Sequence, residues 1–417
     1  MKILFISYYN PLGKGGFEKQ AMGLMKTFAS QGHEIACLTI TIPKNKTQLE
    51  KELEATGIFN LGSFVICHQE KGYSFKTKFL FWFRSNPVNL MINETSELKS
   101  KVSSMVSQII KEQKIDIIHC LSLRTSYYLK DFYDFPLVLD LVDSFTNHKK
   151  RLLKYYISQL NFTKINSLFL DFIKTIKIEK NILKSYPDSP VLVVSNLDKQ
   201  NLINLNKNSL VYCVSHPVTI NCQKMKIENS QKTSKVITFY GYLEQIWNKD
   251  AFFFLVQKVM PMVMKRHPDL KLLATGINLS QNVFDLETQF DWIKVIPTVD
   301  DIEEFASQAT LNCWPFRLGS GFKNKIIESM ALSKPVVTTN IGAEALTESQ
   351  KNGLLIADTA QGLADHIIYL LDNPDERIRL GKINYEIATT EFTWERKAQD
   401  YLQLYQLAQD KFKHKNQ

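Results

Sequence analysis

Between Pro315 and Lys323 the chain reads Pro-Phe-Arg-Leu-Gly-Ser-Gly-Phe-Lys, after an apolar strand-like run and before a segment of helical periodicity. Gly319 and Gly321 let a backbone approach a bulky anion closely. A helix start offers unpaired N–H groups and the positive end of its dipole. The spacing predicts a helix over Phe322–Leu332, which puts Lys323 in the first turn. A cation is unfavourable for the helix there, and a docked diphosphate removes the misfit. Lys325 lies close by, and further along the helix Glu328 supplies a carboxylate suited to a ribose diol. A plain Gly-rich turn capping a surface helix is the structural alternative. It accounts for the glycines but not for lysines and a glutamate converging on one helix start.

A second group lies in the N-terminal half. Gly13, Gly15 and Gly16 follow the first strand and lead into Phe17 and Glu18, with more glycine than a tight β–α turn needs. His119 follows Asp116-Ile117-Ile118 at the predicted carboxyl end of a strand, where doubly wound sheets bind ligands. Arg124 is suited to an acceptor phosphate, and Asp140 and Asp143, at another strand end, to taking a proton or orienting a hydroxyl. The same residues also read as a core histidine and helix caps.

The elements that must carry these groups alternate. In the first half, strands are expected at Ile3–Ser7, Glu34–Thr39, Ser63–Cys67, Ile115–Cys120, Leu137–Leu141 and Val191–Ser195. Helices at Phe17–Gln31 and Glu97–Lys111 lie among them. After Val211–Val218, a Lys- and Asn-rich linker is read at Asn221–Ser234. A second series then has strands at Lys235–Tyr240, Leu270–Thr275, Trp292–Ile296, Thr310–Cys313 and Pro335–Thr338. Its helices include Asp250–Arg266, Asp301–Ser307, Gln361–Asp372, Asp375–Thr390 and Trp394–Lys411. Alternation of this kind means parallel sheets with crossover helices. The fold class is therefore α/β, with two Rossmann-like domains facing a cleft. The domain reading is residues 1–225, 226–392, and a C-terminal helix 393–417 packing back toward the first domain.

The 417 residues, 44% apolar and 22% charged, are those of a globular chain of two domains or one large one, not a disordered one. Six scattered cysteines, Cys37, Cys67, Cys120, Cys213, Cys222 and Cys313, have neither C-x-x-C pairing nor zinc spacing and read as reduced thiols of a cytoplasmic protein. The apolar run in the N-terminal ten residues is too short for a signal peptide, and no stretch approaches the ~20 residues of a membrane span. A net charge of +9 suits nucleic acid, anionic lipid or phosphorylated substrates without choosing among them.

Gly319-Ser320-Gly321-Phe322-Lys323-Asn324-Lys325-Ile326-Ile327-Glu328-Ser329-Met330-Ala331, followed by Lys334–Thr339 and Gly342-Ala343-Glu344, resembles a known pattern. It is similar to the retaining glycosyltransferases of the GT-B fold, glycosyltransferase family 4, in the bacterial sugar-transferase form with G-S-G-x-K-N-K-x-x-E-x-M-A. Weaker likeness covers most of the chain, at Tyr240–Leu243, Trp247–Asp250, Asp140–Ser144 and Ser215–Val218. The resemblance implies a UDP- or GDP-sugar co-substrate and no other cofactor or metal. It implies that Lys323, with Gly321 and nearby backbone amides, holds the diphosphate and Glu328 the ribose, with Ser320 and Lys325 also on the donor side. Gly241 and Lys249 would lie beside the donor, and the base against backbone near Pro297 and Val299. Gly15 and Gly16 would face the donor, with Phe17, Glu18, Arg124, Asp140 and Asp143 on the acceptor side and His119 near the reacting carbon. Two positions depart from the pattern. Ser320 stands where the family has a glutamate for the donor sugar, and Tyr242 where it has an arginine.

Two stretches mix cations with apolar side chains. Lys71–Arg84 interleaves lysines with Phe75, Phe79, Phe81, Trp82 and Phe83, and Lys149–Lys184 has nine Lys/Arg against two acidic residues. Such segments either rest on an anionic membrane or turn their aromatics into a core. The expected partners are a nucleotide-sugar donor and a glycan, lipid-linked or small-molecule acceptor, with an anionic membrane surface as a further candidate. No nucleic acid is expected. The expected place is the cytoplasm, with the inner face of the plasma membrane as the peripheral option. The alternatives to a transferase are a nucleotide-sugar or glycan binder without turnover, suggested by Ser320 and Tyr242, and a membrane-surface interaction protein.

Overall fold

Residues 1–13, 15–41, 46–67, 96–220 and 235–415 are described by the structure, a computed structural model. The expected linker Asn221–Ser234, Cys222 and the aromatic stretch Lys71–Arg84 lie outside them. Two units emerge: Met1–Pro217 together with Trp394–Gln417, and Val218–Thr393.

Apolar runs buried on both sides make the first sheet. Its strands are β1 (Lys2–Ser7), β2 (Glu34–Thr41), β3 (Ser63–Cys67), β4 (Ile117–Leu121), β5 (Leu137–Val142), β6 (Val191–Val193) and β7 (Val211–Cys213). All pair in parallel, in the order β3-β2-β1-β4-β5-β6-β7. Chain order reverses between β1 and β4, so the loops after these two strands diverge. Around the sheet run α1 (Gly16–Ser30), α2 (Lys46–Glu54), α3 (Ser96–Gln113), α4 (Phe145–Ser158), α5 (Phe162–Ser185) and α6 (Asn196–Leu205). Helix α1 turns Ala21, Leu24, Met25 and Phe28 inward, as their spacing predicts.

The second unit has β8 (Val236–Tyr240), β9 (Lys271–Thr275) and β10 (Ile293–Ile296) in one parallel ladder, and β11 (Asn312–Trp314), β12 (Val336–Thr338) and β13 (Leu354–Ile356) in another. A bridge between Ile237 and Leu311 sets the ladders side by side, so chain order reverses again, between β8 and β11. Helix α7 (Ile246–Phe254) passes through a π-turn at Leu255–Val259 into α8 (Met260–Met264). Pro261 explains the wide turn, since it lacks an N–H and crowds the preceding carbonyls. The remaining longer helices are α9 (Ile302–Ser307), α10 (Asn324–Ala331), α11 (Ala360–Asp372) and α12 (Pro374–Glu391). Last comes α13 (Trp394–Lys415), which belongs to the first unit and packs Ala398, Tyr401, Leu404 and Tyr405 into the core that holds Ile3 and Phe5. The five described cysteines are free thiols, of which Cys67 and Cys213 are only half-buried.

One buried carboxylate ties α4 to α5. Glu179 accepts hydrogen bonds from the Phe145 and Thr146 amides, at 2.6 and 3.3 Å, and from the Ser144 hydroxyl. It thus satisfies orphan donors at the α4 N-terminus. Burial pushes its pKa from 4.5 to about 7, and the hydrogen bonds limit the rise. The raised value means that the folded chain holds this proton more tightly than the unfolded chain. The contribution is present below pH 4.5 and is lost as pH climbs through about 7. Wild type should therefore lose about 3 kcal/mol relative to Glu179→Gln between pH 4.5 and 8, read by urea unfolding. A pH-independent gap between the two proteins contradicts this.

Candidate functional site

At the reversal in the second unit, the loop from β11 to α10 carries the glycines. Gly319 and Gly321 have φ of +92° and +71°, backbone that a side chain rarely tolerates, so the turn can be made only by residues of this type. Arg317 anchors the loop by a two-pronged contact to Asp250 on α7, at 3.0 and 2.6 Å, and lies over the Phe254 ring. Thr338 and Thr339 donate to the carbonyls of Trp314 and Phe316, and the Trp314 indole donates to Ser329 at 2.9 Å. Both ends of the loop are thereby fixed to the sheet and to α10.

Lys323 does not stand in the first turn. It is the N-cap residue, with non-helical φ and ψ of −99° and 88°, and the helix begins at Asn324. Its ammonium donates to the carbonyls of Ser320 and Gly321, at 2.8 and 3.2 Å, and lies 3.9 Å from Glu344. Lys325 reaches Glu328 at 3.0 Å and sits over the Tyr240 ring. Glu328 is buried, and it also accepts from Tyr240 at 3.2 Å and from Thr219 at 3.3 Å. Burial, and then the Glu328 charge, hold the Tyr240 hydroxyl well above its ordinary pKa, so it remains the donor.

Gly241, at the end of β8, has Lys325 and Asn248 as neighbours, and Trp247 stands beside Gly319. The structure thus brings Gly241, Ser320, Gly321, Lys323, Lys325 and Glu328 to one strand-end cluster. Lys249 is half-buried on α7, next to Asn248. Pro297 and Val299 follow β10, two strands from β8, and among the described residues no hydrogen bond joins them to the loop. Sequence reasoning assigned no site role to Tyr240, Thr219 or Trp247, although the family likeness runs through Tyr240 and Trp247. Tyr240 was visible as a strand-end aromatic, and its bond to Glu328 spans 88 residues.

The reversal in the first unit gathers a second set. Arg124 lies over the rings of Tyr8 and Tyr9, and Phe17 packs edge-on against Tyr9. The Glu18 side chain folds over Gly13 and Gly15, where a Cβ would collide with it, so those glycines make room and supply no unusual φ. Gly16 opens α1 and is exposed. Burial raises the Tyr9 pKa, the Arg124 charge opposes the rise and Glu18 adds to it. Tyr8 and Tyr9 were not singled out in the sequence, although an aromatic pair between a strand and a Gly-rich loop is a usable signal.

His119 is not at a strand end. Strand β4 continues through Cys120 and Leu121, which pair with Leu139 and Asp140, and His119 is 0% exposed in its middle. Its ring stacks on Phe5, shares a 2.6 Å hydrogen bond with the Tyr405 hydroxyl and lies 3.5 Å from Asp140. Asp140 accepts from Tyr401 at 2.8 Å. These contacts attach α13 to the sheet, which is the structural role for this pair. Asp140 also borders a small cavity with Phe17, Gln20, Val142, Lys397 and Tyr401. Val142 there has φ +66°, a strained value for a β-branched residue. Asp143 follows β5, its amide bonded to Leu141.

Truncation of Glu328 leaves the buried Tyr240 hydroxyl and Thr219 without their acceptor. Glu328→Ala should cost about 1–3 kcal/mol more than Glu328→Gln in chemical unfolding. Equal losses contradict the bonding described.

Residues 234–373, about a third of the chain, match the family described as Glycosyl transferases group 1. The spore coat protein SA of Bacillus subtilis (strain 168) is 25% identical over 199 residues, 44% of this chain. That match spans about half, 52%, of the relative's length. Among solved structures, sucrose-phosphate synthase from Thermosynechococcus elongatus superposes with TM-score 0.67 at 17% identity, over 97% of this chain and 98% of that one. Anabaena HepE in complex with UDP gives TM-score 0.67 at 15% identity, over 97% and 99% of the two chains. The chain therefore has the fold of the GT-B glycosyltransferases and carries, over residues 234–373, a group 1 glycosyl transferase segment.

Proposed function

We propose that the protein is a retaining glycosyltransferase that moves a sugar from a UDP- or GDP-sugar to a hydroxyl of a glycan, lipid-linked or small-molecule acceptor, without a metal ion. The observation that carries this reading is the Gly319–Lys323 loop at the β8/β11 reversal, with two lysines and a buried carboxylate at one helix start. The match of residues 234–373 to a glycosyltransferase family supports it, as does the likeness to Anabaena HepE, whose structures include UDP and UDP-glucose complexes.

In this reading the donor diphosphate lies on the loop amides and the α10 N-terminus. The Lys323 ammonium leaves its two carbonyl acceptors for charged phosphate oxygens, which bind it more strongly. Glu328 Oε2 accepts from Tyr240 and Lys325, whereas Oε1, which accepts from Thr219, keeps a lone pair for a ribose hydroxyl. Transfer breaks the bond from the anomeric carbon to the phosphate oxygen and forms one to the acceptor oxygen on the same face. The leaving phosphate takes the acceptor proton. Lysine and loop dipoles stabilise the charge that develops on the leaving group, the role a metal serves elsewhere. Arg124, Glu18, Asp140 and Asp143 are assigned to the acceptor side, and His119 acts only through its packing. Ser320, at the position of the family's sugar-binding glutamate, favours a second reading: a nucleotide-sugar binder without turnover.

Lys323→Ala should weaken binding of the cognate UDP or GDP nucleotide by about tenfold or more in calorimetry, with the melting temperature little changed. Unchanged affinity overturns the site assignment. With a donor found by thermal-shift screening, the product anomer should match the donor by NMR, and turnover should survive EDTA. Absence of nucleotide release across donors and acceptors favours the binding role.

A further inference from the structure

We propose that the hairpin of α4 and α5 is a docking surface for an anionic lipid bilayer. The base of the hairpin is buried, through Ser144–Lys149 at one end and Thr175–Leu183 at the other, while the side chains at its far end are mostly exposed. There Ile157, Leu160, Phe162, Phe169, Leu170 and Ile173 are 51, 72, 70, 51, 37 and 49% exposed. They make up half of the twelve large apolar side chains exposed among the described residues, gathered on one supersecondary element. Phe162, Phe169 and Ile173 recur at helical spacing along α5, and Leu160 caps the turn between the helices. A patch of this kind on a protein surface marks an interaction site.

The charge around it selects the partner. Lys150, Lys154, Lys164, Lys177 and Lys180 are exposed on the same two helices. The two acidic residues are withdrawn from the surface: Asp171 pairs with the buried Lys149 at 3.4 Å, and Glu179 is enclosed under the α4 N-terminus. The exposed face is thus apolar flanked by cations alone. That is the composition of elements that lie in the interface of an anionic membrane, with side chains inserted and lysines at the headgroups. A second copy of the chain would set cations against cations. No helix among the described residues is long and apolar enough to cross a membrane, so the hairpin would rest on the surface. This inference stands apart from the sugar-transfer reading and does not depend on it.

The test uses the full chain and sedimented or floated vesicles. Wild type should bind phosphatidylcholine vesicles containing about 30% phosphatidylglycerol and not pure phosphatidylcholine, with binding lost in high salt. Two variants should each bind at least about tenfold more weakly: Leu160→Ser with Phe162→Ser and Phe169→Ser, and Lys150→Glu with Lys154→Glu and Lys164→Glu. All six sites are exposed, and an unchanged melting curve and circular-dichroism spectrum show that the fold is intact. Wild-type failure to bind, equal binding to neutral vesicles, or either variant binding like wild type overturns the proposal. So does loss, in the apolar variant, of self-association or of duplex DNA binding in place of vesicle binding.

Discussion

A parallel sheet whose chain order reverses has one place where neighbouring strand-end loops turn away from each other, and everything chemical in this protein hangs on that constraint. It operates twice. In the second unit the loops after β8 and β11 meet the start of α10, and in the first unit those after β1 and β4 bring Tyr8, Tyr9 and Arg124 together. The strands supply rigidity because they are buried on both faces, so the loops can carry unusual backbone without loosening the frame.

Charge balance explains the detailed shape of the second-unit loop. A lysine there, 7% exposed, has to find acceptors, and Lys323 finds the carbonyls of Ser320 and Gly321, which the glycine turns aim at it. Glu328 is held between Lys325, Tyr240 and Thr219. These contacts hold the side chains of the cluster in one arrangement. Arg317 and Asp250 complete the arrangement by tying the loop to α7.

Local pattern made the alternation of strands and helices legible, since Ile3–Ser7 and Pro335–Thr338 are short, largely apolar runs and α1 repeats at helical spacing. The loop at Gly319–Glu328 was legible for the same reason, because all its members lie within ten residues. What depended on distant contacts was not. The bond from Tyr240 to Glu328 and the packing of Tyr405 on His119 join residues 88 and 286 positions apart. Hence His119 read as a strand-end group when two more residues of β4 pair beyond it. Lys323 was misplaced by two positions because helical spacing starts at Phe322 while the helix begins only at Asn324. The aromatics of α5 had two readings in the sequence, core or surface, and the exposure of Phe162 and Phe169 at the far end of the hairpin separates them.

The central claim is that the Gly319–Lys323 loop holds a diphosphate. Titration calorimetry of the protein with a series differing only in phosphate number, UDP, UMP and uridine or their guanosine counterparts, addresses it most directly. Affinity should fall by about tenfold or more at each phosphate removed. Equal affinity for nucleotide and nucleoside would show that the loop does not hold phosphate and would contradict the account.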